Sequence, residues 1–190
     1  MAWRLGGALD AAALETALGE IVRRHEALRT TFAEVDGSPV QVIAPFGGFA
    51  LPVEDLSGEA DREAAVGRRA GEEARRPFHL SAGPLFRAAL LRLGAGDHVL
   101  LLSVHHVVGD GGSQGVLYRE LAALYEAYHE RAASRRCRKW GCSTPTTRCG
   151  SASTSGTVSW KGSWRTGGSG SRTHPRCWSS RSSASPPAHE

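Results

Sequence analysis

Two adjacent histidines, His105 and His106, are followed by Val107-Val108-Gly109 and then Asp110-Gly111, directly after the apolar run His98 to Val104. An imidazole titrates near neutrality, so a histidine at the mouth of a buried strand can take or give a proton at physiological pH. His106 is the candidate for that position, and His105 reads as a buried neighbour that shapes the loop. Asp110 can fold back to brace the loop, while Gly111 and Gly112 can adopt the positive φ that a sharp exit requires. No carboxylate pair, phosphate-cradling glycine loop or nucleophile elbow accompanies them. The isolated histidines His25, His79, His98 and His129 read as core-edge or surface residues.

The elements that must hold this loop follow from periodicity and punctuation. Asp10 can cap a helix running to about His25, with Leu14, Leu18, Ile21, Val22 and Leu28 on one face. Thr30 to Val35 reads as a strand, Asp36-Gly37 as a hairpin turn and Val40 to Ile43 as the return strand. Leu51 to Val53 is a weaker extended piece. A charged, Ala-rich helix is expected over about Glu59 to Arg75, stopped by Pro77. Leu85 to Leu93 and His98 to Val104 read as an apolar hairpin, and Gln114 to His129 as a helix with Val116, Leu117, Leu121, Leu124 and Tyr125 inward. The order α-β-β-α-β-β-α gives an α/β layer architecture, a mixed sheet flanked by helices.

A net charge of +4 on 190 residues suggests a nucleic-acid or membrane partner, but the charge is not shared evenly. Residues 134–190 hold ten Lys+Arg and one acid, whereas residues 1–133 hold thirteen bases and eighteen acids. The body is therefore mildly acidic and all of the basicity lies in the tail. No apolar run is long enough to span a bilayer, and Asp10 and Glu15 interrupt any signal-peptide pattern, so a cytoplasmic body is expected. The four cysteines, Cys137, Cys142, Cys149 and Cys177, all sit in the tail without a CxxC pair, which argues against a metal site. That tail has no Leu, Ile, Phe, Tyr or Met, and Val158 is its only aliphatic residue beyond alanine. Such a segment buries too little apolar surface to offset its ordering entropy and is expected to be disordered.

The stretch His105 to Gly111 resembles the HHxxxDG signature of condensation domains from nonribosomal peptide synthetases, and more loosely the HxxxDG of chloramphenicol acetyltransferase-like enzymes. Arg24 to Phe32 (RHEALRTTF) is similar to the family's RHExLRTxF block, and Arg76-Pro77-Phe78-His79-Leu80 with Gly83-Pro84-Leu85 and Arg87 to its RPFDLxxGPLxR segment. The resemblance covers roughly Ala2 to Tyr128. It implies the N-terminal lobe of a chloramphenicol acetyltransferase-like fold, lacking the family's opening helix and its second lobe, with residues 1–133 as the partial domain. The implied reaction is amide formation, in which an aminoacyl amine attacks an acyl or peptidyl thioester. Both substrates ride on phosphopantetheine arms of peptidyl carrier domains in neighbouring synthetase modules, and the domain binds no cofactor or metal of its own. His106 would act as general base or hydrogen-bond positioner, and this chain alone would have little activity because half the tunnel between the lobes is missing. Asp110 would be a bracing carboxylate paired with Arg24 or Arg29, and Gly111 would serve backbone geometry. Gly112 stands where tryptophan is frequent, Gly109 where Ser or Ala is usual and His79 where Asp is usual.

The tail admits a further explanation. Shifted by one nucleotide, Thr144 to Ser151 permits Y-A-D-Y-A-V-W-Q, and Trp160 to Arg181 permits a string containing Q-L-A-Y-W-R-E-R-L-A, both similar to what condensation domains carry after this helix. Residues 134–190 are therefore expected to be out-of-frame translation, the shift falling between about His129 and Arg138. Two other readings compete with the synthetase one. An acyl-CoA-dependent O-acyltransferase of the wax-ester or diacylglycerol type shares HHxxxDG but not the RHEALRTTF and RPFHL blocks. A non-catalytic carrier-binding lobe with a nucleic-acid-binding tail requires the tail to be genuine, so nucleic acid is not an expected partner.

Overall fold

The computed structural model describes residues 1–139 and 158–163, with side chains described for residues 1–132 and 158. A five-stranded mixed sheet has the order β4-β5-β6-β1-β7, and a separate two-stranded ribbon pairs β2 with β3. The strands are β1 (Ala2–Gly6), β2 (Thr30–Val35), β3 (Ser38–Ile43), β4 (Val53–Asp55), β5 (Phe86–Gly94), β6 (Asp97–Val104) and β7 (Ser159–Ser163). The helices are α1 (Ala11–Arg24), α2 (Arg62–Arg75) and α3 (Gly111–Lys139), with a short 3-10 turn over Glu26–Arg29.

The helices form where caps and apolar stripes agree. Asp10 accepts a hydrogen bond from the Ala13 amide at 3.1 Å and Asp61 one from the Ala64 amide at 2.9 Å, so each satisfies an orphan donor in the first turn of α1 or α2. Asp36 and Gly37 both take positive φ, 52° and 74°, as a two-residue hairpin turn between β2 and β3 demands. The β5–β6 hairpin turns where Gly94 pairs with Asp97, with a register shift between Arg92 and Gly94. β4 joins the far side of β5 in parallel, pairing Val53 with Leu90.

Alternation along β5 and β6 divides the core in two. Leu90, Leu100 and Leu102 join Trp3 and Leu5 of β1 against Leu14, Leu18 and Ile21 of α1 and Leu121 and Tyr125 of α3. Leu91, Leu93, Val99 and Leu101 face the other way, against Leu56 and Ala65. α2 thus covers one face of the sheet and α1 with α3 the other, a three-layer arrangement.

Four sequence expectations change. β1 is an added strand: only Trp3 and Leu5 of its five residues are buried, too short an alternation to register as a period. α3 starts at Gly111 rather than Gln114, because Asp110 caps it three residues earlier, and Val116 is 41% exposed instead of inward. Gly111 and Gly112 are therefore helical, and the positive-φ glycines among the described residues are Gly7, Gly37, Gly48 and Gly83. Lastly, Ser159–Ser163 pairs antiparallel with β1, Leu5 opposite Trp160, where the sequence offered no strand signal. Their contribution is backbone pairing to an otherwise open strand edge, which needs no apolar side chains. Residues 140–157 and 164–190, with Cys142, Cys149 and Cys177, lie outside the described residues, as does the side chain of Cys137. Among the described residues no helix is long and apolar enough to cross a membrane.

Candidate functional site

β6 ends at Val104, and the chain then makes a tight turn built on His105, which is half-buried rather than fully enclosed. The His105 amide donates to the Leu85 carbonyl at 3.0 Å, which keeps this residue on the ladder to the chain entering β5. Its carbonyl accepts the Val108 amide at 3.0 Å, and its Nδ1 accepts the Val107 amide at 3.1 Å. One histidine therefore anchors the turn three times. Because Nδ1 accepts, the neutral ring carries its proton on Nε2.

His106 occupies the second position of this turn and is exposed. Its ring makes no hydrogen bond or ion pair within the described residues, leaving both nitrogens available to a reactant. It lines a groove of about 1460 Å³ whose walls include His25, Leu28, Val104, Val108 and Leu117. The groove is bounded by the end of β6, one side of α2 with Phe78 after it, the residues after α1 and the first turns of α3.

Asp110 stands at the start of α3. Its Oδ1 accepts from the Ser113 amide at 2.8 Å and the Ser113 hydroxyl at 2.6 Å, and its own amide donates back to Ser113 Oγ at 3.3 Å. These bonds, the Ser113 side chain first, hold the Asp110 carboxyl below its ordinary pKa of 3.8. The link expected from Asp110 to Arg24 or Arg29 is not formed. Arg24 Nε donates to Glu20 at 2.6 Å, while Arg29 donates to Glu26 at 2.9 Å and to the Ala44 carbonyl at 2.5 Å. The physical reason is local: amides at a helix N-terminus offer the carboxylate short, pre-oriented donors, while each arginine has an acid three or four residues away. Asp110 fixes the exit of the loop through α3, and Gly111 serves as the first residue of that helix.

Four contacts were missed from sequence. His25 Nε2 lies 2.7 Å from Glu120 Oε2, joining the end of α1 to α3 beside the groove, so His25 is more than an edge residue. Ser113, three residues after Asp110, completes the cap, and that spacing was a readable signal. Phe78 packs edge-on against His105, ring centroids 5.6 Å apart at 80°, and Arg87 lies 3.8 Å above the Phe78 ring. His98 is buried in β6, and desolvation, reinforced by nearby Arg92, lowers its pKa, so it stays neutral in the core. His79 lies in a turn, its carbonyl accepting from Gly83 at 2.7 Å, and His129 stacks on Tyr125.

A three-layer α/β lobe with a histidine-bearing turn and a capped helix behind it is what the Condensation domain family profile matches, over residues 1–138. The chain belongs to that family, the condensation domains of nonribosomal peptide synthetases. Over 126 residues it is 51% identical to chondramide synthase cmdD of Chondromyces crocatus, covering 65% of this chain and 3% of that protein. Over 129 residues it is 48% identical to a linear gramicidin synthase polypeptide of Brevibacillus parabrevis, covering 67% and 2% respectively. The first condensation domain of the CDA synthetase superposes with a TM-score of 0.63 at 30% identity, over 68% of this chain and 34% of that one. The starter condensation domain of rhizomide synthetase gives 0.63 at 28% identity, over 68% and 32%. The chain thus spans a small fraction of the curated relatives and about a third of the solved domains.

Proposed function

We propose that this chain carries the histidine-bearing half of an amide-forming acyltransferase site. The observation that supports this most directly is the His106 imidazole, presented to a groove by a turn that His105 pins at three points. In this reading the donor is an acyl or peptidyl thioester and the acceptor an aminoacyl amine, each delivered on the phosphopantetheine arm of a peptidyl carrier domain. His106 accepts a hydrogen bond from the attacking amine, holding its lone pair toward the thioester carbon, and takes a proton as the C–N bond forms. The C–S bond then breaks, the leaving thiolate takes up that proton, and the amide and a free thiol on the donor carrier are the products. The chain itself uses no cofactor or metal in this step.

The test is amide formation between carrier-loaded substrates. In a frame-restored two-lobed parent, His106→Ala is expected to lower turnover by about 10²- to 10⁴-fold, the usual contribution of a positioned proton acceptor. Turnover unchanged by that substitution overturns the role of His106. The 190-residue chain by itself is expected to show no turnover, since it supplies one side of the tunnel.

The reading of residues 134–190 as out-of-frame translation belongs to the same proposal. It is supported by a family match that ends at residue 138 and by relatives whose similarity covers about two thirds of the chain. Resequencing codons 120 to 190 decides it. A restored frame encoding the YADYAVWQ-like continuation is the expected result, and an intact frame overturns it.

A further inference from the structure

Arg87 sits on β5 behind two residues that line the groove, Glu73 and Phe78, and each nitrogen of its guanidinium has a partner. Nε donates to Glu73 Oε1 at 2.6 Å, Nη2 to the Arg76 carbonyl at 3.0 Å and Nη1 to the Pro77 carbonyl at 3.3 Å. Its side chain is 10% exposed and that of Glu73 20%. The guanidinium therefore closes the C-terminal end of α2, where carbonyls lack intrahelical donors, and clamps the two residues that precede Phe78. The same guanidinium covers one face of the Phe78 ring at 3.8 Å, a contact favoured by the ring quadrupole. Phe78 in turn meets the His105 ring edge-on. A continuous column thus runs Glu73, Arg87, Phe78, His105, and ends on the residue whose hydrogen bonds hold the His106 turn.

We propose that Arg87 is a positioning residue for His106, acting through Phe78 and His105. This deepens the reading of His106 given above and rests on it for its catalytic meaning. Arg87 fixes Phe78 twice, through the backbone before it and through its ring. Phe78 then limits the rotation of the His105 imidazole, so that Nδ1 stays under the Val107 amide. If the ring turns, the Val107 bond is lost and the turn keeps only backbone pairing, which releases His106 from one orientation. Lysine cannot replace this arrangement, because a point charge does not supply three donors in a planar fork.

Two-bond ¹H–¹⁵N spectra of the histidine rings, with hydrogen exchange at the Val107 amide, test this on the whole chain and need no turnover. Arg87→Met and Phe78→Leu are each expected to mix the tautomers of His105 and to speed Val107 exchange by about tenfold, the loss of one hydrogen bond. Phe78→Tyr, which keeps the ring, is expected to leave both unchanged. A folded Arg87→Met protein with the wild-type His105 tautomer and Val107 exchange overturns the proposal, as does Phe78→Leu without effect. Equal losses in Phe78→Tyr and Phe78→Leu overturn it too. Should Arg87→Met lose its helical signal, the two Phe78 variants decide. The failure of amide formation on His106→Ala is a separate observation, so either conclusion can fall while the other stands.

Discussion

Replacing Gly109 by alanine sets two opposed effects against each other at the loop. The resemblance to condensation domains puts Ser or Ala at this position, yet here an added Cβ would lie 2.9 Å from Val104 Cγ1 and 3.9 Å from Ser113 Cβ. Carbon pairs prefer about 3.5–4.0 Å, so the valine contact is short by more than half an ångström. Gly109 is not in the left-handed region, so alanine meets no backbone strain and restricts the unfolded chain, a gain of about 0.4–1 kcal/mol. Overpacking costs about 1–3 kcal/mol unless the neighbour moves. Val104 is packed against the core, and a β-branched side chain has few rotamers to escape into, so the clash is expected to win. The net is a destabilisation of about 1 kcal/mol, or about 2–4 °C in Tm for a chain of this size. Thermal and urea unfolding of Gly109→Ala, Val104→Ala and the double variant measure it. The double variant should be more stable than the sum of the singles implies, by at least about 0.5 kcal/mol. Gly109→Ala as stable as the parent, or an additive cycle, refutes the reasoning.

Two further outcomes are expected. Leu121 is fully buried where α3 meets α1 and the sheet, so Leu121→Ala should destabilise by about 2–5 kcal/mol, read by urea unfolding, and a loss under about 1 kcal/mol would show that α3 is not docked there. Asp110 titrates below 3.8 in the folded chain, so its cap contributes stability above the ordinary carboxylate pKa and loses it as pH falls through the lowered value. Protection of the Ser113 amide should therefore collapse on strong acidification, and Asp110→Asn should remove that acid dependence; an unchanged acid profile would contradict the cap.

Much of the fold could be read from local chemistry. The β2 strand and its Asp36-Gly37 turn depend on alternation and on two positive-φ positions, both of which are properties of adjacent residues. α1 is fixed by a capping carboxylate and a stripe of apolar side chains. What the sequence hid was set by partners far along the chain. β1 is a strand because β6 lies beside it, Ala2 opposite Leu101, and two buried side chains do not announce that. β7 pairs through backbone groups that carry no sequence signal. At the site, His105 and His106 stand out in the sequence because residue type and spacing suit the chemistry proposed for them. The partner of Asp110 was not, since the competition between distant arginines and the amides of its own helix is a matter of distance. Val116 falls on the apolar stripe of α3 but faces the groove rather than the sheet, a distinction periodicity does not make.

The pairing of Gly6 with Ser159 has a consequence in time. β1 and its outer neighbour lie 153 residues apart, and at about 5–20 residues per second the interval between their synthesis is roughly 8–30 s. Loops this long close slowly, so the sheet can assemble around β5 and β6 well before its border strand arrives. For that interval the nascent chain displays an uncapped row of amides and carbonyls beside Trp3 and Leu5, a template on which a neighbouring polysome product can add a strand. Yield of the dispersed chain is thus a contest between translation speed and encounter frequency, and slower expression at lower concentration is the direction in which that contest tips toward folding.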